Sequence, residues 1–286
     1  MSAEAMLRQA RHAEGCGLDS VWLFDHLLTP VVLRSHYPYD VAYGLRPEDP
    51  ILDPLGVIGV LAGATSRIQL GTEVFVAPYR HPIVLGKALA TIEQFAPGRL
   101  ICGLGSGWMQ EEFDAVGVPF AARGARMDEY VAALRTIWSG TPAGFGGDVY
   151  RWQPAGFNPA PTIPLPIILG GHAPRARARA IRLGDGWATI LTALPDPSMA
   201  GSLAWLDAFR REREEAGRDD ADFDVLVCEQ PVRFAAEPDP GEPLSGPPEA
   251  IAEAITRLRD AGVTKIAVLA DDEGVARLAE EVRPLL

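Results

Sequence analysis

Short runs of apolar residues alternate along the chain with longer segments in which apolar residues recur every three or four positions. Continuous apolar runs without in/out alternation are typical of strands in a parallel sheet that is covered on both faces. The runs predict strands at Ser20–Phe24, Arg67–Val74, Arg99–Gly103, Leu165–Leu169, Gly186–Leu191, Asp224–Phe234 and Thr264–Leu269.

The segments with a helical period lie between these strands and on either side of them. They predict helices at Ala3–Cys16, Pro54–Ala64, Pro82–Phe95, Arg123–Trp138, Pro174–Leu183, Pro197–Ala216, Pro248–Ala261 and Glu273–Val282. Several begin with proline, which suits a first helical turn because the missing N–H has no helical partner there. Asp53 and Asp196 directly precede two of these prolines, and we expect them to cap their helices.

Repeated strand–helix units predict right-handed parallel crossovers and an α/β fold. Their number favours a (β/α)8 TIM barrel over a doubly wound sheet, because no phosphate-binding fingerprint follows the first strand. The chain opens on a helix, so we expect the barrel to lack its first β-strand at the N-terminus. Either the start codon is placed too late or the barrel is open at one seam. No linker divides the chain, which predicts a single domain over 1–286 with an insertion loop at 139–164 on the rim.

The charge and composition of the chain argue against several classes of function. The chain carries 38 acidic and 26 basic residues, a net charge of −12, and an acidic surface disfavours nucleic-acid binding. No apolar run approaches the roughly 18 residues that span a bilayer, and the N-terminus has no secretory signal pattern. The 3 cysteines are scattered without metal-ligand spacing. We therefore expect a cytoplasmic protein with no metal and no membrane partner.

Candidate chemistry follows the predicted strands, because barrels hold catalytic groups at the C-terminal ends of their strands. Asp25 and His26 follow the first strand, and a carboxylate beside an imidazole can orient it or share its proton. A structural aspartate that caps the next loop explains the pattern equally well. Glu73 interrupts the second apolar run, and a rim residue that faces water is its simplest interpretation.

The third predicted strand leads into a glycine-rich run, Gly105-Ser106-Gly107. Glycines at alternating positions let the backbone approach a ligand closely, although glycine also serves to fit a crowded barrel end. The acidic pair that follows, Glu111 and Glu112, is expected on a solvated face or at a helix start.

The fourth predicted strand ends in the sequence G-G-H-A-P and runs straight into a helix, which directs backbone N–H groups at the top of the barrel. Arginines follow at positions 175, 179 and 182 on one helical face. This arrangement predicts a site for a phosphate or a polyanionic tail, with an exposed arginine-rich face as the alternative. The candidate contacts are Gly170, Gly171, His172, Ala173 and Arg175.

These motifs lie within longer stretches of sequence that together resemble a known family. The stretches are AEGCGLDSVWLFDHL, TSRIQLGTEVFVAPYRHP, GRLICGLGSGWMQEEFDAVGVPF, PLPIILGG and GPPEAI. In this collinear order they resemble the bacterial luciferase-like flavin monooxygenase superfamily, and within it the branch that uses the deazaflavin coenzyme F420. The resemblance covers almost the whole chain.

The resemblance implies a (β/α)8 barrel with the cofactor ring in the mouth of its C-terminal rim. It places a non-proline cis peptide, which backs the ring, at Glu73-Val74. It puts Asp25 and His26 at the catalytic position, with His26 as the proton donor or acceptor during hydride transfer. It implies cofactor contacts from Thr72, Glu73, Val74, Gly105, Ser106, Gly107, Gly170, Gly171, His172, Ala173 and Arg175.

One position departs from some relatives. Trp108 stands where the sugar-phosphate-oxidising relatives carry a glutamate directly after the glycine run, so sugar-phosphate chemistry is not expected. Tyr37, Tyr39, Trp108 and the 139–164 loop are expected to form the rim of the pocket, which favours a fairly apolar substrate.

The resemblance therefore favours an oxidoreductase that transfers a hydride between coenzyme F420 and an unknown small organic substrate. The alternative within the family is an FMN-dependent monooxygenase that needs a separate flavin reductase. The alternative from another class is a degenerate barrel that binds the cofactor without turnover. A homodimer is expected from the family.

Overall fold

The structure is a computed structural model that describes residues 2–37, 44–218 and 222–286. The described chain forms two compact units. The first holds the start of the chain up to Arg8 and most of the chain from Trp22 to Ile167, and the second holds Gln9–Val21 and the described part of Ile168–Leu286. The expected single domain over 1–286 stays a prediction.

Helices cover much of both units. They are α1 (Ala3–Gly15), α2 (Pro54–Ala64), α3 (Pro82–Glu93), α4 (Gln110–Val116), α5 (Arg123–Ile137), α6 (Pro174–Leu183), α7 (Met199–Glu215), α8 (Pro248–Asp260) and α9 (Asp272–Arg277), which continues into a π-helical turn at Leu278–Val282.

The strands are short. They are β1 (Ser20–Leu23), β2 (Gln69–Thr72), β3 (Phe75–Val76), β4 (Leu100–Gly105), β5 (Ala143–Gly146), β6 (Arg151–Ala155), β7 (Ile167–Gly170), β8 (Gly186–Thr189), β9 (Asp224–Pro231), β10 (Arg233–Phe234), β11 (Ser245–Gly246) and β12 (Lys265–Leu269).

The strands of the first unit's main sheet follow the order β1-β2-β4, and β3 pairs with β4 as well. Both β2 and β3 run parallel to β4, with Leu70 opposite Leu100 and Phe75 opposite Leu104. All six residues of β4 are buried, as expected for a central parallel strand whose sequence is continuously apolar.

The strands of the second unit's main sheet follow the order β7-β8-β9-β12 and are parallel throughout. Trp187 of β8 is fully buried, and its ring stacks 3.9 Å from that of Phe209 on α7. Helix α7 therefore covers this sheet through an aromatic contact.

Parallel strands that alternate with helices confirm the predicted α/β fold class, with the repeat of a (β/α)8 barrel. Among the described residues, α1 stands ahead of β1. None of the described helices is long and apolar enough to cross a membrane.

The strand predicted over Arg67–Val74 is interrupted. Strand β2 ends at Thr72 and β3 begins at Phe75. The peptide bond between Glu73 and Val74, which lies in this break, is cis, and this confirms what the resemblance implied.

The helix predicted at Pro197 begins two residues later, because its cap is a different residue. Ser198 accepts the N–H of Gly201 and caps α7, whereas Asp196 accepts the N–H of Ser198 ahead of the helix. The assignment of Asp196 as a helix cap was wrong. The assignment of Asp53 is confirmed, since its carboxylate accepts the N–H of Leu55 at the start of α2.

Of helix α4, the sequence indicated only a start at Glu111 and Glu112, and the short strand β11 was not predicted. The antiparallel pair of β5 with β6 in the 139–164 segment was not predicted either. The rings of Phe145 and Trp152 stack 5.0 Å apart across this pair, which gives an otherwise Gly- and Pro-rich segment a small core of its own.

Candidate active site

Three residues of the first unit extend β1 beyond its last paired residue, Leu23: Phe24, Asp25 and His26. Asp25 is buried at 3% exposure. Its Oδ2 accepts the N–H of Val76 at 2.9 Å, and Arg80 donates to both of its oxygens at 2.6 and 3.0 Å. Burial raises the pKa of Asp25, although the Arg80 guanidinium opposes that rise.

The carboxylate that contacts the His26 imidazole is that of Glu112. Oε2 of Glu112 lies 3.0 Å from Nδ1 of His26 and accepts the Tyr79 hydroxyl at 2.6 Å. Oε1 accepts the N–H groups of Leu27 and Leu28 at 2.5 and 3.2 Å. Both carboxylate oxygens are thus bound by two donors each.

Glu112 is fully buried, so its ionised form depends on these donors. Burial acts to raise the pKa of the Glu112 carboxyl, but the hydrogen bonds from His26, Tyr79 and Leu27 together lower it below its ordinary value. An ionised carboxylate only accepts hydrogen bonds. Nδ1 of His26 therefore carries a hydrogen.

Two aromatic rings lie beside the His26 imidazole. The ring centroids of Phe24 and Trp108 each lie 5.9 Å from that of His26, and Tyr37 contacts Trp108 edge-on at 4.9 Å. Phe24 is 46% exposed, which is unusual for a phenylalanine at a strand end. The structure thus brings the predicted rim residues Tyr37 and Trp108 together with His26. Tyr39 lies outside the described residues.

The predicted cofactor contacts of β2 and the break that follows it lie in the same unit. Thr72 is buried, and its hydroxyl donates to the carbonyl of Gly103 at 2.8 Å. Val74 occupies the space that a side chain at Gly105 would need. Glu73 is half-buried.

Protein side chains also fill the space beside the glycine-rich run. A Cβ placed on Gly107 would lie 2.6 Å from Cγ1 of Val76 and 2.8 Å from the Phe113 ring. Packing inside the protein therefore accounts for glycine at 107. A ligand contact by Gly105, Ser106 or Gly107 stays a prediction.

The predicted anion-binding turn lies in the second unit, between β7 and α6. Nε2 of His172 accepts the N–H of Ile190 at 3.0 Å and lies 3.0 Å from the Thr189 hydroxyl. Burial and the charge of Arg177 lower the pKa of His172 to about 4. The His172 ring is therefore neutral near pH 7 and braces the turn.

Arg177 makes several contacts that hold this turn in place. It pairs with both carboxylate oxygens of Glu212 at 2.7 and 2.9 Å, donates to the carbonyl of His172 at 2.8 Å and lies over the Trp205 ring at 4.6 Å. Arg175 and Ala173, by contrast, are exposed. Gly171 accepts from the indole N–H of Trp187 at 3.0 Å through its carbonyl.

Sequence reasoning missed Glu112 and Tyr79. Glu111 and Glu112 were expected on a solvated face or at a helix start, and the helix start is confirmed, since both lie in the first turn of α4. Glu112 is nevertheless buried rather than solvated, and its partner His26 lies 86 residues away along the chain. The one available signal was the acidic pair directly ahead of Phe113, a fully buried residue of α4.

The family model for luciferase-like monooxygenases matches residues 1–242. The F420-dependent glucose-6-phosphate dehydrogenase of Kineococcus radiotolerans is 33% identical over 239 residues, which is 82% of this chain and 65% of that enzyme.

Solved structures resemble the whole chain. A monooxygenase, RslO1 from Streptomyces bottropensis, matches with a TM-score of 0.78 at 22% identity, over 99% of this chain and 93% of that one. An F420-dependent secondary alcohol dehydrogenase in complex with an F420–acetone adduct matches with a TM-score of 0.77 at 19% identity, over 100% and 96%. This likeness shows the fold class.

Proposed function

The chain belongs to the luciferase-like monooxygenase family and is an enzyme of the oxidoreductase class, and on that premise we propose that it transfers a hydride between coenzyme F420 and a small organic substrate. The observation that carries the proposal is the His26 imidazole, held at the end of β1 by a buried carboxylate and flanked by aromatic rings. The related F420-dependent dehydrogenase supports the choice of cofactor.

The residues of the first unit fit a planar heteroaromatic ring. Phe24 presents nearly half of its surface to solvent, and Trp108 adds a second aromatic face beside His26. These faces bind a flat ring by stacking and dispersion, while the His26 imidazole is the acid–base group beside them. Thr72, Glu73, Val74, Gly105, Ser106 and Gly107 remain the proposed contacts of the ring.

The turn of the second unit that leads into α6 remains a proposed site for a phosphate group. The first turn of this helix carries no acidic residue, and Arg175 is exposed there. Helix N-termini favour anions. Gly170, Gly171, His172, Ala173 and Arg175 are the proposed contacts.

When bound, the deazaflavin accepts or supplies the hydride. The protein's own residues orient the substrate and manage its proton. For an alcohol substrate, His26 takes the hydroxyl proton as the carbon–hydrogen bond breaks and the carbonyl forms; in the reverse direction it returns that proton. Once the bound ring covers Phe24 and Trp108, this apolar surface excludes water from the exchange.

The test is a pair of titrations of the purified protein, one with F420 and one with FMN, followed by fluorescence. Dissociation constants at least tenfold lower for F420 support the proposal, and the reverse order rejects it. With F420 bound, reduction by small secondary alcohols is monitored by loss of deazaflavin absorbance. His26→Gln should lose about 10²-fold or more of that rate while it keeps its affinity for F420.

The second candidate is an FMN-dependent monooxygenase, which the match to the family model for luciferase-like monooxygenases favours. It requires reduced flavin from a separate reductase. Oxygen consumption that depends on added reduced FMN, without F420 turnover, would establish this function instead.

A further inference from the structure

We propose that Glu112 is a positioning residue that fixes the tautomer of His26, so that Nδ1 holds a hydrogen toward Glu112 and Nε2 is the nitrogen that exchanges the substrate proton. The inference rests on the proposed function, in which His26 carries that proton. It adds a residue that touches neither substrate nor cofactor and that acts only through the imidazole.

The two carboxylate oxygens of Glu112 bind different groups near His26, and this supports the positioning role. Oε1 is engaged by the backbone N–H groups of Leu27 and Leu28, which follow His26 directly in the chain. Oε2 is engaged by His26 and by the Tyr79 hydroxyl. The same carboxylate therefore holds both the ring and the backbone from which the ring projects, and the ring has little freedom to rotate.

The neighbouring helix position extends the same arrangement. Oε1 of Glu111 accepts the N–H groups of Arg34 and Ser35 at 2.5 and 3.0 Å, and Oε2 accepts the Ser35 hydroxyl at 2.6 Å. The first turn of α4 thus holds both ends of the segment that follows His26, but only Glu112 contacts the imidazole.

The alternative is that Glu112 only stabilises the fold and has no effect on the His26 tautomer. The chain offers a matched control in Glu93, which is also fully buried. Glu93 accepts the N–H groups of Thr162 and Ile163 and the Thr162 hydroxyl, at 2.7 to 3.2 Å. It resembles Glu112 in burial and in the type of donors it binds, and it is not a partner of His26.

The experiment measures the tautomer by two-dimensional ¹⁵N NMR of the histidine-labelled, cofactor-free protein, with His26→Gln used to assign the signal. The wild type is expected to show neutral His26 as the Nδ1–H tautomer. In Glu112→Gln, the amide oxygen keeps the N–H groups of Leu27 and Leu28, so the amide nitrogen donates to Nδ1 and the ring shifts to the Nε2–H form. Glu93→Gln should leave the tautomer unchanged.

Kinetics supply the second readout. Glu112→Gln should lower kcat at least about tenfold with little change in KM, because the substrate is bound but the proton is on the wrong nitrogen. Glu93→Gln should destabilise the fold and keep kcat. A wild-type ring in the Nε2–H form, or equal losses of kcat in the two variants, would overturn the proposal.

The two hypotheses fail separately. The wild-type tautomer is measured without substrate or cofactor, and its signal is assigned with His26→Gln alone, so it tests the role of Glu112 even if Glu112→Gln does not fold. An Nδ1–H ring in a protein that never turns over F420 would reject the proposed function alone. F420 turnover with an Nε2–H ring would reject the positioning role alone.

Discussion

Arg80 and Asp25 form a two-bond ion pair in the first unit, in which each terminal nitrogen of the guanidinium donates to a different carboxylate oxygen. The Asp25 side chain has no solvent exposure and that of Arg80 has 11%. Arg80 also contacts Asp53, the cap of α2, and Asp25 accepts the N–H of Val76 in β3. The pair therefore joins the end of β1 to two other elements.

Removing the cation from this pair should be strongly destabilising. Arg80→Ala leaves a buried carboxylate without its counter-charge, which costs about 3–5 kcal/mol of unfolding free energy. Denaturant unfolding of the two proteins measures the loss.

The control is Arg46→Ala. Arg46 pairs with Asp49 at 3.2 Å but is 76% exposed, so its loss should cost no more than about 1 kcal/mol. Equal costs for the two variants would show that the Asp25 pair contributes no more than an ordinary surface pair.

Acid should destabilise the second unit through His172. The folded protein keeps this ring neutral down to a pKa of about 4, whereas an unfolded histidine takes up its proton near pH 6.5. Between these values the unfolded state binds more protons, so stability is complete above about pH 6.5 and is lost as the pH falls toward 4. The loss approaches about 3 kcal/mol at most.

The measurement is the unfolding free energy of the wild type and of His172→Gln at several pH values from 7.5 to 4.5. The variant has no titrating ring and should lose less stability on acidification, although its stability at pH 7.5 is lower. Parallel pH profiles for the two proteins would assign the acid sensitivity to other groups.

Local patterns in the sequence were sufficient to predict the strand–helix repeat but not the contacts of the candidate site. Continuous apolar runs and N-terminal prolines located most strands and helices to within a few residues, because both depend on neighbours along the chain. The partners of Glu112 lie 33 residues away at Tyr79 and 84 to 86 residues away at His26, Leu27 and Leu28, and no periodicity records such contacts. The polar start of α4 looked like surface for the same reason.

Asp25 illustrates the same limit. Its position next to His26 suggested that it orients the imidazole. In the structure, however, Nδ1 of His26 contacts Glu112, and Asp25 accepts hydrogen bonds from Arg80. The two side chains are adjacent in the sequence but bind different partners, so adjacency did not predict a contact between them. A catalytic role for Asp25 stays a prediction.

Loss of the Glu111 contacts should loosen the segment that follows His26. The hydrogen bonds from Ser35 and from the N–H of Arg34 hold the pKa of Glu111 at about 2 against the effect of burial. Glu111→Gln replaces an ionised acceptor of these bonds with a neutral amide, and charge-assisted bonds are roughly twice as strong. Amide hydrogen exchange at Arg34 and Ser35, measured by mass spectrometry, should become faster.

A second glutamate provides the comparison for that exchange experiment. Glu129 accepts the N–H groups of Asp148, Val149 and Tyr150. Glu129→Gln should speed exchange at 148–150 and leave 34–35 unchanged, whereas Glu111→Gln should do the opposite. Faster exchange at both places in either variant would indicate general unfolding and would contradict the local role of Glu111.

Gly107 and Gly117 offer a test of why glycine ends the run after β4. Both have a left-handed backbone, with φ of 77° and 70°, but a Cβ at Gly107 would lie 2.6 Å from Val76, whereas nothing lies within 4 Å of a Cβ at Gly117. Gly117→Ala should therefore cost only the backbone term, about 1 kcal/mol, and Gly107→Ala should cost about 1–3 kcal/mol more through overpacking. Denaturant unfolding of both variants measures the difference, and F420 titration shows whether binding changes with it. Equal stabilities for the two variants, with F420 affinity lost only in Gly107→Ala, would instead mean that the glycine is there for the ligand.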